Sequence, residues 1–442
     1  MSRLARIFAS AAAASALIAG SAAAQLLPAL PLPPLTVPVR DLPVAGPAVQ
    51  QLLATPEAQQ AINPTLDSVR GLAEPLVEAG ANTLLELRRL RHRNLIREFA
   101  RELEGDSAGQ PVRRGQLVAI NPDPASLRAA AAAGFRVSGH QAVPDLGLTT
   151  VHLAVPRGLS ASDALQRLRR AAPGIEADFD HLFEPAGGAL LPVSGALAAS
   201  AAASGGVRIG IIDGGVASHP SLAAASIDQH GFAGAPSPTG HGTAVASLLV
   251  GNDGPFRGAA RGASLFVADV YGGNRAAGSA SSVVRALGWL AAKQPQVINI
   301  SLVGPPNAAV ARAVQQVRAR GIQIVAAVGN DGPAAPPQYP ASYPGVVAVT
   351  AVDGRGQALL EAGRSAHLDF AAPGADMAAA LPGEGYAKVR GTSFAAPLAA
   401  ARLAAAGSVP ALAGEARPGR GRVGRGIVCS ACRVEPKVVR AR

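Results

Sequence analysis

Four short segments of the 442-residue sequence carry side chains suited to acyl transfer. Asp213 follows the apolar run Ile209-Gly-Ile-Ile. His241 lies 28 residues later, in Gly240-His-Gly-Thr-Ala-Val-Ala246. Asn330 closes Val325-Ala-Ala-Val-Gly-Asn330, and Ser393 sits in Gly391-Thr-Ser-Phe-Ala-Ala-Pro397. Singly, each has an ordinary explanation: an Asp capping a turn, a half-buried structural His, a Ser opening a helix, an Asn in a left-handed turn beside Gly. Jointly they are the parts that a serine nucleophile needs. A Ser hydroxyl is inert at its free pKa and needs a base, and a His base needs an acid to fix its tautomer. A polarised amide must then meet the oxyanion.

The elements that must position these groups show in the apolar pattern. From residue 207, apolar β-rich runs at 207–212, 264–270, 297–302, 322–328 and 346–352 alternate with helical stretches at 241–251, 279–293, 306–320 and 393–406. Strands without polar alternation are buried on both faces, which predicts an α/β fold: a doubly wound, mainly parallel sheet covered by helices. Asp213, directly after such a strand, falls at the carboxyl edge, where open α/β sheets place their sites. Upstream, 112–184 reads as strand, helix, two strands, helix and strand, with Ser160 and Asp163 as a helix cap. That order suits a small α+β ferredoxin-like module.

The four segments resemble those of the subtilisin-like serine protease (subtilase) family, in the chain order Asp, His, Ser for which subtilisin itself is the reference case. The resemblance covers about 207–410 and includes two flanking stretches, Tyr339-Pro-Ala-Ser-Tyr-Pro344 and Phe370-Ala-Ala-Pro-Gly374. It implies a subtilisin-like fold, with Asp213, His241 and Ser393 as catalytic triad, Asn330 at the oxyanion hole and polypeptides as substrates. Ser301, Leu302 and Val303 resemble the strand that binds substrate backbone. Two departures stand out. Asp213-Gly-Gly lacks the hydroxyl that usually follows the aspartate. Val303 stands where the family commonly has Gly, so a side chain narrows or reshapes the cleft. The 106–185 module looks like a propeptide, which makes it an intramolecular inhibitor of its own protease. The resemblance implies no required cofactor. The structural calcium common in the family finds no support, because the ten acids between 204 and 410 do not cluster and Ca²⁺ wants 6–8 oxygens. No metal ligands are assigned.

The remaining chain divides as follows. Residues 1–24 read as a secretory signal peptide: Arg3 and Arg6, an apolar run, and Ala22-Ala-Ala24 as cleavage site. The protein is therefore expected to be exported, to the periplasm or the medium. Residues 25–105 combine a Pro/Ala-rich segment with a basic amphipathic helix over 83–104, whose charged face is solvated or touches anionic lipid. Residues 186–206 read as an uncharged linker or processing junction, 207–410 as the peptidase domain, and 411–442 as a basic tail. The tail carries Cys429 and Cys432, which in an exported chain most simply form a disulfide.

Composition bounds the alternatives. The net charge is +11, but only three of the 40 basic residues are Lys, and residues 411–442 alone hold eight bases and two acids. Charge without aromatic stacking residues is no basis for a nucleic-acid partner. The tail's contact with a membrane surface stays open beside simple solvation. No second apolar stretch is long enough for a polytopic membrane protein. Gly391-Thr-Ser-Phe-Ala lacks the second Gly of a lipase elbow, and Asp213-Gly-Gly is not a dinucleotide-binding fingerprint. The remaining alternative is a catalytically inactive, protease-like binding protein.

Overall fold

Seven parallel strands form the central sheet, in the order Phe370–Pro373, Val347–Val352, Gln323–Ala327, Val297–Ile300, Arg208–Asp213, Ser264–Asp269, Ser226–Gly231. The structure, a computed structural model, describes residues 81–186, 189–193, 206–383 and 385–439. The export signal, the Pro-rich stretch and most of the 186–206 junction lie outside the described residues.

Successive strand residues point to opposite faces, so a run with no polar alternation feeds two cores. Ile209 and Ile211 enter one core and Ile212 the other; Val325 and Ala327 likewise oppose Ile324 and Ala326. Helices Gly240–Val250 and Thr392–Ala406 cover the first face, and Ala280–Lys293 and Ala308–Ala319 the second. This is the doubly wound fold that the sequence predicts. From Arg208–Asp213 the chain passes to the edge strand Ser226–Gly231, returns inward through Ser264–Asp269, then crosses to begin the other half with Val297–Ile300. That reversal opens a crevice beyond the carboxyl ends of these two strands. Two strands had no apolar run to betray them: Ser226–Gly231 is a largely exposed edge, and Phe370–Pro373 is only four residues long.

The upstream module is an antiparallel sheet ordered Arg136–Val143, Leu148–Ala154, Pro111–Ile120, Ala177–His181. Leu103–Gly105 extends it by pairing with Pro111–Arg113, so it begins before residue 106. Helices Pro124–Ala132 and Ala161–Ala171 cover one face around Leu117, Phe135, Leu153 and Leu168, and Ser160 caps the second helix by accepting the Asp163 N–H at 3.2 Å. The opposite face carries Val118, Ile120, Val143, Leu146 and Leu148 into the second core of the main domain. Module and domain thus share apolar interior. Asp178 and Asp180, alternate residues of one strand, accept N–H groups of Ala308 and Ser281, both at 2.9 Å. Each places an anion at the positive end of a main-domain helix.

Three expectations need correction. The basic helix spans Ala81–Glu98 and stops before the strand at Leu103, and its basic residues divide between two sides: Arg89, Arg93 and Arg97 stay exposed, while Arg88, Arg91 and His92 turn onto the main domain. Leu84, Leu87, Arg88, His92 and Leu95 are buried, because the helix lies against the main domain. The 186–206 junction is not all linker: Ala189–Val193 pairs antiparallel with Tyr386–Arg390, taking up backbone groups that an open hairpin edge leaves unpaired. The main domain also does not end at 410. The Ala371 N–H reaches Gly426, the Val428 N–H reaches Ala371, and Ile427, Val428 and Val439 are buried. Residues after 411 therefore cover the edge strand Phe370–Pro373, and Cys429 and Cys432 do form a disulfide.

Gly288 marks the tightest point of the module's seat, where a Cβ would meet Val143 Cγ1 at 2.2 Å. Gly288→Leu raises the helix propensity of Ala280–Lys293 while blocking that seat. In calorimetry of a Ser393→Ala chain the variant is expected to split unfolding into two transitions, the module melting first. A single unshifted transition would contradict the shared core.

Candidate active site

The crevice collects all four chemical residues. Asp213 ends the strand Arg208–Asp213 and is 1% exposed. His241 is the second residue of Gly240–Val250, whose N-cap Thr239 accepts the Gly242 N–H. His241 Nδ1 lies 2.8 and 2.9 Å from the two carboxylate oxygens of Asp213. Asp213 Oδ1 also accepts the Gly214 N–H at 2.7 Å, so the acid is held from two directions. The position after Asp213 is closed from across the turn: a Cβ at Gly214 would sit 2.4 Å from Thr239 Oγ1. The Thr239 side chain fills the space that a Thr or Ser at 214 would occupy.

Ser393 opens the helix Thr392–Ala406 and is fully buried. The neighbouring Phe394 ring lies 5.4 Å from the His241 ring. Nε2 of His241 is buried without a hydrogen-bond partner among the described residues. This is the ring atom that a general base uses, and such bonds often tighten only in the reacting complex. Ser301 joins the halves of the site: its hydroxyl donates to the Ser393 carbonyl at 2.9 Å, while its own carbonyl accepts the Ala186 N–H at 2.8 Å.

The chain's own residues 183–186 lie in the crevice as an extended strand. Glu184–Pro185 pairs antiparallel with Leu302–Val303. On the opposite side the Phe183 N–H donates to Gly278 at 2.7 Å, and Tyr271 Oη donates to the Phe183 carbonyl at 2.9 Å. Burial, with the charge of nearby Asp213 added, holds the Tyr271 phenol well above its ordinary pKa and so keeps it a donor. At the strand's end, Asn330 Nδ2 donates to the Ala186 carbonyl. Asn330 Oδ1 accepts the Thr392 N–H at 3.0 Å, which orients the amide. Past the crevice, Ala189–Val193 runs along Tyr386–Arg390, the strand that leads to Ser393.

Sequence reasoning missed the clamp over this strand. Arg88, Arg91 and His92, at i, i+3 and i+4 on one helix face, converge on two carboxylates. Arg88 Nε is 3.0 Å from Asp331, Arg91 bridges Asp331 (3.0 Å) and Glu184 (3.3 Å), and His92 Nε2 is 3.3 Å from Glu184. Burial would push the Glu184 carboxyl up, but the charges of Arg91, His92 and Arg88 outweigh it and hold the group far below the ordinary carboxylate range. Burial works against the Arg91 charge too, and is outweighed by Asp331 and Glu184. The helical spacing was visible, but nothing local told that carboxylates 93 and 240 residues away would meet it. No group of three or more metal-binding side chains occurs among the described residues.

A carboxyl whose folded pKa is depressed stabilises above its unfolded pKa and loses that contribution as pH falls. In a Ser393→Ala chain, Glu184→Gln is therefore expected to lower the unfolding midpoint at pH 7. The gap between the two proteins should close as pH drops below about 4. A gap independent of pH would show that the clamp is not ionic.

Comparison with known proteins agrees with this geometry. Residues 204–414 match the subtilase family model. Subtilisin Savinase of Lederbergia lenta is 36% identical over 202 residues, covering 43% of this chain and 72% of the relative. The alkaline protease of Alkalihalobacillus alcalophilus is also 36% identical over 202 residues, though the chain spans only 51% of its length. Fervidolysin from Fervidobacterium pennivorans, described as a keratinolytic enzyme related to subtilisin, is similar in fold with a TM-score of 0.60 at 19% identity, covering 73% of this chain and 61% of that one. Similarity at this level across most of a subtilisin's length settles the kinship, and the chain belongs to the subtilase family of serine proteases.

Proposed function

We propose that this protein is an exported serine endopeptidase made as a self-inhibited precursor. The observation that carries the reading is the Ala186 carbonyl on the Asn330 amide, beside a His241–Asp213 pair and at the end of a strand paired like a bound substrate. Ser393 Oγ attacks the carbonyl carbon while His241 Nε2 takes its proton; Asp213 holds the tautomer and stabilises the imidazolium. The Asn330 amide and the Ser393 backbone N–H hold the oxyanion. Collapse of the tetrahedral intermediate passes the proton to the leaving amine and leaves an acyl-enzyme, which water cleaves. No cofactor is required.

Within the precursor the first bond so presented is Ala186–Gly187. Cutting it leaves residues up to Ala186 in the crevice as a product that blocks it. The module's shared core and the Arg88–Arg91–His92 clamp both hold that product in place. Export rests on the N-terminal sequence, and among the described residues no helix is long and apolar enough to cross a membrane. Other polypeptides become substrates once residues up to 186 are displaced.

Ser393→Ala is expected to abolish all but residual peptide cleavage and to leave the exported chain uncut at 186. Asn330→Ala is expected to lower kcat by about 10²–10³, the loss known for the corresponding amide of subtilisin. N-terminal sequencing of active protein should read from Gly187. Unchanged turnover in Ser393→Ala would remove Ser393 from the nucleophile's role, whereas no cleavage by the wild-type protein and no fluorophosphonate labelling of its Ser393 would favour an inactive binding protein instead.

A further inference from the structure

In serine proteases a pocket for the side chain that precedes the cut bond sets the choice of that residue, and in this crevice that side chain is the methyl group of Ala186, only 1% exposed. Packed side chains stand around it. Val303 faces the same side of the two-strand ribbon as its partner Glu184, and hence as Ala186, because side chains two apart share a face. Val303 and Ala186 belong to the same apolar cluster, whereas Leu302 and Phe183 pack into the other one. Gly329, with φ +88°, immediately precedes the oxyanion residue Asn330. A Cβ built there would meet Val303 Cγ1 at 3.3 Å and Gln338 Cγ at 3.4 Å. Two side chains from separate segments therefore converge on the backbone next to the oxyanion amide.

Neither side chain is free to swing away. Val303 is 6% exposed and β-branched, so its rotamer is stiff. Gln338 is 1% exposed, donates from Nε2 to the Pro336 carbonyl at 2.6 Å and has its backbone tied to Arg364 at 3.0 Å. Tyr339 and Gly304 exchange backbone hydrogen bonds at 2.9 and 3.0 Å, locking the two walls to each other. A larger group in place of the Ala186 methyl would have to displace packed atoms, and close-packed walls resist that.

Given the endopeptidase reading, we propose that Val303 and Gln338 close the pocket for the residue before the cut, so that the enzyme cleaves after Ala, Gly or Ser and rejects long or aromatic side chains there. The contrast with the next wide subsite is built in: Phe183, three residues earlier, lays its ring over Gly304, where a Cβ would meet it at 2.7 Å. The crevice accepts a large ring at that position and refuses one at the cut.

The test uses processed protein and amide substrates of sequence Phe-Glu-Pro-X, with X as Ala, Ser, Leu or Phe, on wild type and Val303→Gly. Wild type is expected to favour Ala over Phe by at least about 10-fold in kcat/KM, and Val303→Gly to shrink that ratio by a similar factor. Equal or better cleavage after Phe by wild type, or an unchanged ratio in Val303→Gly, overturns the proposal. If Val303→Gly does not fold, mapping wild-type cuts in an unfolded protein decides: cuts after Ala, Gly and Ser support it, and cuts after Leu or Phe overturn it. Absence of any cleavage by wild type overturns the endopeptidase reading itself, which is a different result from cleavage with the wrong selectivity.

Discussion

The strands Arg208–Asp213 and Val297–Ile300 are apolar on both faces, and the rest of the molecule follows from that constraint. A strand buried on two sides has no place for an ionised group along its length. Charge can first appear where the strand ends, and Asp213 sits there. The same burial requires helices on both faces, and their N-termini bring His241 and Ser393 to the same edge. Packing thus dictates the site's location before any chemistry is considered. At that edge the imidazole and the Gly214 amide stand where water would otherwise meet the Asp213 carboxyl.

The second apolar face reaches beyond the sheet. Helices Ala280–Lys293 and Ala308–Ala319 would expose their outer sides, and the module's sheet buries part of them. That sheet has helices on one face and a neighbouring domain on the other, which is why Val118 and Ile120 are as buried as Leu117 and Ala119. Two aspartates at alternate positions then supply the helix N-termini with anions, so docking is fixed in register as well as in area. Register matters, because sliding the module by one residue would withdraw Ala186 from Asn330 and turn Glu184 away from its arginines.

Elements with strong periodicity were legible in the sequence. The helices around His241 and Ser393 and the five apolar strands lie within a few residues of where pattern reading puts them. The module's strand–helix order was equally plain. What stayed hidden was set by distant partners. Ser226–Gly231 is a strand only because Ser264–Asp269 offers it an edge. The segment Arg417–Val439 looks like a loose basic tail until Ala371 supplies its hydrogen bonds. Arg88, Arg91 and His92 read as a solvated stripe, since nothing within one turn of the helix predicts Asp331 or Glu184. In the site the motifs picked out Asp213, His241, Asn330 and Ser393, which the fold gathers at one crevice, but the close approach of Thr239 to Gly214 needed three dimensions to see.

The module ends in the very peptide that it lays in the crevice, and this sets a stoichiometry. A tethered segment faces its site at a high effective concentration, fixed by geometry rather than by how much protein is present. On the proposed function, a cut after Ala186 would leave one blocking fragment for every site and replace that fixed concentration with the bulk one. Rebinding then slows with dilution, whereas dissociation does not. The same molecule would stay silent where it accumulates and become active where it spreads, with no further signal than distance from its source.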